Sequence, residues 1–255
     1  MYLLYSYLKH YFRSIKLHGV HSPFVFELVT RCFYDKTQYP QYKMMDAHRK
    51  VLRKDTRKID VTDYGSGSRV FKSTHRSVSA IAAHAGIIKK KQYLLFRLAR
   101  YFDFRKTLEL GTSLGIGSVA LGLHKNNNVV TVEGCAATAG VAQEYFDSFG
   151  FNNITLERST FAHFLKQPLP FQPDCVYFDG HHDQKHTLEY FYTLLPCAHN
   201  DTVFIFDDIY WSKGMTAAWR EIASHPEVTV SIDTFWQGLV FFRKEQPKES
   251  FSIRL

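Results

Sequence analysis

Four short stretches of the chain put carboxylates, glycines and imidazoles together at spacings that could do chemistry. They are Glu109-Leu110-Gly111-Thr112-Ser113-Leu114-Gly115, Glu133-Gly134, Asp179-Gly180-His181-His182 and Asp207-Asp208. Glycines are needed where a ligand comes too close to the backbone for a Cβ. An acidic residue ending the next strand can accept the hydroxyl protons of a ribose. Three carboxylates that meet at one sheet edge, Asp179, Asp207 and Asp208, repel one another unless a cation or protons intervene. Hard oxygen ligands around an open position suit Mg²⁺, which lowers the pKa of a bound hydroxyl. The bland alternative is that Asp179 and Asp207 cap helices or line a pocket. His181 follows Asp179 by two residues and titrates near neutral pH, so it is the candidate general base. His182 is a second candidate, and either imidazole could ligate a softer metal. Asp183 and Gln184 read as the cap of the following helix.

Two glycine-rich turns compete for the ligand. Asp63-Tyr64-Gly65-Ser66-Gly67-Ser68 follows a short candidate strand at Ile59–Val61, but the segment after it, Arg69–Arg76, is basic and polar. No acidic residue ends a strand about 20 residues later, as ribose recognition requires. The turn at 109–115 has the full context. The strand Thr107–Leu110 runs into Gly111, an apolar helix begins near Gly115, and the next strand ends at Glu133, 22 residues past Gly111. The order Gly111, Gly115, Gly117, with Thr112 and Ser113 between, departs from the dense glycine nest that a pyrophosphate wants. That tilts against a dinucleotide. Glu109 at the strand's end could partner a ligand amino group.

These residues need a scaffold, and the pattern supplies one. From about residue 107, β-rich runs alternate with helical stretches: Thr107–Leu110, Val129–Glu133, Ile154–Glu157, Cys175–Phe178, Val203–Phe206, Val228–Ile232 and Leu239–Phe242, with helices such as Ala136–Phe149 and Gln184–Leu195 between them. Such alternation predicts an α/β fold, a mostly parallel sheet covered on both faces. The last two strands are joined by a short polar link at Asp233–Gln237, too short for a crossover helix, so they must form an antiparallel hairpin. Residues 1–106 differ: they read as a basic, aromatic-rich, mainly helical region, with helices at Met1–Leu17, from Ser22-Pro23 through Cys32, at Val78–Ala85 and at Gln92–Phe102. The expected division is therefore 1–106, a cap, substrate or dimer region, and 107–255, the ligand-binding domain.

The quoted motifs, with Tyr177-Phe178-Asp179-Gly180-His181-His182 and Ile205-Phe206-Asp207-Asp208-Ile209, resemble those of the class I S-adenosylmethionine-dependent methyltransferases. The similarity runs in order from about 107 to 242. It is strongest to the small-molecule O-methyltransferase branch related to catechol, caffeoyl-CoA and sugar O-methyltransferases. The resemblance implies a seven-stranded Rossmann-like sheet with a terminal antiparallel hairpin. It implies S-adenosyl-L-methionine as cofactor, held by Glu109, Gly111, Thr112, Ser113, Gly115, Glu133, Gly134 and Asp179, with Ser159 and Thr160 beside the adenine. Asp179, Asp207 and Asp208 match the Mg²⁺ ligands of the metal-dependent members. His181 stands where related sugar O-methyltransferases carry an acidic base, and Trp211 is placed either to wall the acceptor pocket or to fill core.

Composition bounds the alternatives. Hydrophobic residues at 45% and charged residues at 22% are ordinary for a folded chain. No apolar run approaches the roughly 20 residues that span a bilayer, and Met1–Leu8 lacks a cleavage site, so no membrane partner and a cytoplasmic location are expected. The four scattered cysteines, Cys32, Cys135, Cys175 and Cys197, offer neither a zinc knuckle nor a disulfide framework. Residues 1–106 hold 22 Lys and Arg against 7 Asp and Glu, whereas the rest hold 10 against 17. Clusters at His48-Arg49-Lys50, Arg53-Lys54, Arg57-Lys58 and Lys89-Lys90-Lys91 could follow the phosphates of RNA or DNA, or be solvated helix faces, or attract an anionic small molecule. The leading expectation is O-methylation of a small-molecule acceptor by an enzyme that could be a homodimer. Nucleic-acid methylation and an inactive cofactor-binding module are the alternatives.

Overall fold

The computed structural model describes residues 1–64, 73–84 and 86–255. The chain divides into two compact units, Met1–Tyr34 with Pro168–Leu255, and Asp35–Gln167. Packing in each unit follows buried apolar faces. Helix α1 (Tyr2–Arg13) and helix α2 (Pro23–Leu28), which continues as a π turn over Val29–Phe33, belong to the unit formed by the C-terminal part of the chain. Ile15 even makes a parallel bridge to Ile253.

In the unit 35–167, helix α3 (Gln41–Lys54) leads to a two-stranded antiparallel ribbon of β1 (Lys58–Asp60) and β2 (His75–Ser77). Helices α4 (Val78–His84) and α5 (Lys89–Tyr101) follow. The chain then alternates: β3 (Lys106–Leu110), α6 (Ile116–Gly122), β4 (Asn128–Glu133), α7 (Ala136–Phe149), β5 (Ile154–Arg158) and the single turn α8 (Phe161–Phe164). The strands are parallel, with β4 in the middle. Their interior positions, Leu108, Leu110, Val129 and Val132, are all buried, as strands covered on both faces must be. Helix α5 belongs here because Gln92, inside the unit, donates from its amide to the Ile116 carbonyl at 3.0 Å.

The other unit contributes β6 (Cys175–Phe178), α9 (Gln184–Leu194), β7 (Val203–Asp207), α10 (Lys213–Ser224), β8 (Val230–Asp233), β9 (Gln237–Phe241) and β10 (Glu249–Ser252). Strand order is β6-β7-β9-β8-β10. Only β9 runs against its neighbours, and it forms the expected hairpin with β8. Gly238 in β9 leaves room for Trp219 of α10, whose ring lies 2.5 Å from where a Cβ would stand. Phe178 and Phe206 stack with ring centres 4.3 Å apart, tying β6 to β7. The mixed α/β architecture with a mostly parallel sheet and a terminal hairpin is as the sequence predicts. One strand is added: β10 pairs in parallel with β8, Ser252 opposite Asp233.

Candidate active site

Glu109 is fully buried on β3. The parallel register sets it opposite Thr131 of β4, and its Oε2 accepts hydrogen bonds from Thr131 Oγ1 at 2.6 Å and from Ser118. Its Oε1 is buried and has no hydrogen-bond partner. Burial pushes the carboxyl up to about 7, against the pull of the two hydroxyls. A buried acceptor with nothing to accept is costly, and here it sits at the strand end that opens into the glycine turn.

That turn is built from left-handed backbone. Gly111, Ser113 and Gly115 have φ of 115°, 48° and 77°, and Gly115 starts α6. A Cβ on Gly115 would stand 2.4 Å from the Phe146 ring, so this glycine is required for packing as well as for conformation. Thr112 and Thr131 share a hydroxyl hydrogen bond of 2.6 Å. The amide of Ser113 donates to Glu133 Oε2 at 2.8 Å, and the amide of Cys135 donates to Glu133 Oε1 at 2.8 Å. Both oxygens keep a second lone pair for hydroxyl donors. Burial raises the Glu133 pKa, with the two amides opposing the rise.

Ser159 follows β5, its amide donating to the Glu133 carbonyl at 3.1 Å, and Thr160 caps α8 by accepting from the His163 amide. Gly134 is covered by Tyr64, whose ring would meet a Cβ at 2.9 Å. Tyr64 belongs to the rival glycine segment, of which Gly65, Ser66, Gly67 and Ser68 lie outside the described residues. Its half-exposed ring beside Glu133-Gly134 is a ligand-facing candidate that motif reading passed over. The structure thus brings Glu109, Gly111, Thr112, Ser113, Gly115, Glu133, Gly134 and Ser159 into one neighbourhood.

In the other unit, β6 and β7 are parallel, with Phe178 opposite Phe206, so Asp179 and Asp207 emerge at the same edge. Asp179 accepts from the Tyr177 hydroxyl at 3.1 Å and faces His182 Nε2 at 3.8 Å. Asp207 is buried, and Asp208 has φ of 51° with its amide donating to the Trp236 carbonyl. His181 and His182 are both left-handed, with φ of 63° and 44°, a conformation that non-glycine residues adopt at a cost. That backbone turns His181 toward α9, where its Nδ1 lies 4.0 Å from Asp183 Oδ2 and its ring meets His186 and Tyr190 edge-on. Asp183 caps α9 as the sequence predicts, accepting from the His186 amide at 3.0 Å and facing its Nδ1 at 2.7 Å. The three aspartates proposed for Mg²⁺ are not gathered. Among the described residues, the ligand atoms that lie within 4.8 Å of one another in a group of three belong to His181, Asp183 and His186. Trp211 stands by His182, ring centres 6.2 Å apart.

Residues 108–209 match a family model described as a methyltransferase domain. Residues 108–209 thus resemble a methyltransferase domain. Similar folds recur among solved structures. A methyltransferase of Podospora anserina, PaMTH1, bound to S-adenosylhomocysteine, has a TM-score of 0.63 at 12% identity over 89% of this chain and 98% of that one. The O-methyltransferase TomG of Streptomyces achromogenes, in complex with S-adenosylmethionine, gives 0.56 at 16% over 84% and 95%. An O-methyltransferase of Bacillus cereus in complex with S-adenosylhomocysteine gives 0.54 at 16% over 85% and 96%. At these identities the likeness is one of fold. No curated protein matches the chain.

The basic clusters of the first hundred residues are partly consumed internally. His48 and Arg49 are buried, and Arg49 donates to the Ile87 carbonyl at 2.6 Å. Arg57 pairs with Asp55 and Glu144, both at 2.8 Å, and Lys89 with Asp46 at 2.7 Å. Lys91 is buried. None of the described helices is long and apolar enough to cross a membrane.

Proposed function

We propose that this protein transfers the methyl group of S-adenosylmethionine to a hydroxyl of a small molecule. The observation that carries the reading is Glu109 Oε1, a buried acceptor without a donor at the mouth of the glycine turn. The ammonium of the cofactor's methionine part is the donor that such a carboxylate lacks, and it would return Glu109 to its charged form. Glu133 would hold the ribose, and Gly134 with Tyr64, Ser159 and Thr160 the adenine side. When bound, S-adenosylmethionine supplies an electrophilic methyl on a sulfonium. His181 would take the proton of the acceptor hydroxyl, its Nδ1 lying 4.0 Å from Asp183 Oδ2, while Asp179 faces His182. An imidazole with a carboxylate facing one nitrogen is suited to accept a proton at the other.

Asp179, Asp207 and Asp208 do not form a group of three ligand atoms within 4.8 Å of one another, and no step is assigned to Mg²⁺. Arg49 and Lys91 of the basic clusters are buried, and Arg57 and Lys89 are paired, so nucleic acid stays the second reading.

Titration calorimetry should show binding of S-adenosylmethionine and S-adenosylhomocysteine and none of NAD. NAD binding alone would overturn the cofactor assignment. On a panel of phenols and alcohols, His181→Ala should lower S-adenosylhomocysteine release by about 10²–10⁴-fold, whereas EDTA should leave it unchanged. Loss of turnover in EDTA, restored by Mg²⁺, would reinstate the metal.

A further inference from the structure

A concavity within the unit of residues 1–34 and 168–255 is lined by none of the residues proposed for the cofactor, the metal or the proton transfer. It encloses about 440 Å³ between one face of α1, one face of α10 and the strands β8 and β10. That volume is within the range of about 300–1,000 Å³ typical of small-ligand sites. On α1 the lining residues are Tyr2, Tyr5, Ser6, Lys9, His10 and Arg13, which helical periodicity puts on one stripe. Its floor is polar and buried: Ser6, His10, Thr216, Ser231 and Asp233 are each less than a tenth exposed. Trp219 and Phe251 supply apolar wall.

The charge in this cavity is unbalanced. Asp233 is its single acidic lining residue, and its side chain is already engaged. Oδ2 accepts from Tyr210 at 2.6 Å, and Oδ1 accepts from the Phe235 amide at 2.8 Å and lies 3.3 Å from His10 Nε2. Lys248 is engaged too, donating to the carbonyls of Ser224, His225 and Val228 after α10. Lys9, Arg13 and Arg220 are exposed around the opening, and none forms an ion pair with a described residue. Both guanidinium-bearing residues line the cavity. Burial and Asp233 raise the Tyr210 pKa, and the charges of Arg13 and Arg220, arriving from different helices, both oppose that rise.

Two forked guanidiniums and an ammonium over hydroxyl-lined walls suit a compact dianion that accepts several hydrogen bonds at once. We propose that this cavity binds the phosphomonoester group of a small molecule, held by Lys9, Arg13 and Arg220. The group could reach it free in solution or as a lipid headgroup. The opposite face of α1 exposes Leu4, Leu8 and Phe12, apolar side chains that could rest on a lipid surface. The inference does not depend on the methyl-transfer reading.

The test uses the full chain with glycerol 3-phosphate in calorimetry and, separately, sedimentation with phosphatidylcholine vesicles containing phosphatidic acid. Binding in either arm, weakened about tenfold or more by the double substitution Arg13→Gln with Arg220→Gln, supports the site; tenfold corresponds to about 1.4 kcal/mol. The arm that binds names the source. Lys54→Gln, an exposed charge in the other unit, should leave binding intact. The double variant should retain its melting temperature and its affinity for S-adenosylhomocysteine, which separates loss of this site from misfolding and from failure of the cofactor assignment. Absence of binding in both arms, or binding that survives the double substitution, overturns the proposal.

Discussion

Replacing Glu109 by Gln should make the protein more stable and a poorer binder of S-adenosylmethionine, and the two effects should part company with pH. Glu109 is fully buried, and its pKa is raised from 4.5 to about 7. Between those values the folded state holds a proton that the unfolded state has released, so stability falls as pH rises from 4.5 through 7 and is level above. Two and a half pKa units correspond to about 3 kcal/mol of destabilisation above pH 7. Gln keeps the shape and cannot ionise. Ser118 and Thr131 can rotate their hydroxyls to suit it, although one amide hydrogen will lack an acceptor, which offsets part of the gain. The expected net gain is about 2 kcal/mol at pH 8, or roughly 4–8 °C in melting temperature for a chain of this size. Near pH 4.5 the gain should vanish. Binding should move the other way. If the carboxylate meets the cofactor's ammonium, its loss removes a charged hydrogen bond of about 1.5–3 kcal/mol and weakens affinity roughly 10–100-fold at pH 8. Wild-type affinity should itself rise as pH passes upward through 7, with proton release on binding. Melting curves and calorimetry at pH 5, 7 and 8 measure both. A variant that is no more stable at pH 8 than wild type would refute the burial argument, and undiminished affinity would refute the ammonium contact.

Further outcomes follow from the same kind of reasoning. His48 lies fully buried against Tyr145 and Phe149, and neither ring nitrogen has a hydrogen-bond partner. Burial lowers its pKa from 6.5 to about 4, so the unfolded state takes up the proton first and stability falls as pH drops from 6.5 toward 4. Between pH 7 and 5 this group should remove about 2 kcal/mol. His48→Leu should abolish that share of the acid sensitivity in denaturant titrations, and equal pH slopes for the two proteins would count against it. Gly115→Ala forces a side chain into left-handed backbone and against Phe146, so a loss of about 3 kcal/mol is expected, roughly 6–12 °C by calorimetric melting. A change under 2 °C would mean that the turn is far more pliable than its geometry implies. Asp183→Ala removes the α9 cap and should cost about 1 kcal/mol in urea unfolding. It should also shift the pH profile of turnover, because His181 loses the carboxylate it faces; an unmoved profile would leave Asp183 as a cap alone.

The glycine turn and the two glutamates beside it were legible in the sequence because their determinants are local. Thr107–Leu110 and Val129–Glu133 are short apolar runs ended by glycine, and parallel strands place their carboxyl ends together whatever the helices between them contain. Glu109 and Glu133 are therefore located by strand boundaries, and the Asp183 cap by its single preceding turn. The acidic edge was legible only as far as the strands reach. Asp179 and Asp207 emerge at one edge, as expected, but where the side chains point is set by backbone after the strands. His181, His182 and Asp208 all take left-handed φ there, and no local propensity in Asp-Gly-His-His or Asp-Asp-Ile announces it. Strand β10 was missed for a different reason: Glu249–Ser252 is short and half-exposed, and its strand character depends on pairing with β8, which begins nineteen residues earlier in the register Val230 to Glu249. The division into two units was hidden in the same way. Charge changes sign near residue 106, yet α1 buries its Ser6 and His10 face in the unit that also holds β8, Asp233 and β10. The stripe Tyr2, Tyr5, Ser6, Lys9, His10, Arg13 follows from helical spacing alone. Without the strands that it covers, nothing distinguished a cavity wall from one more basic helix face.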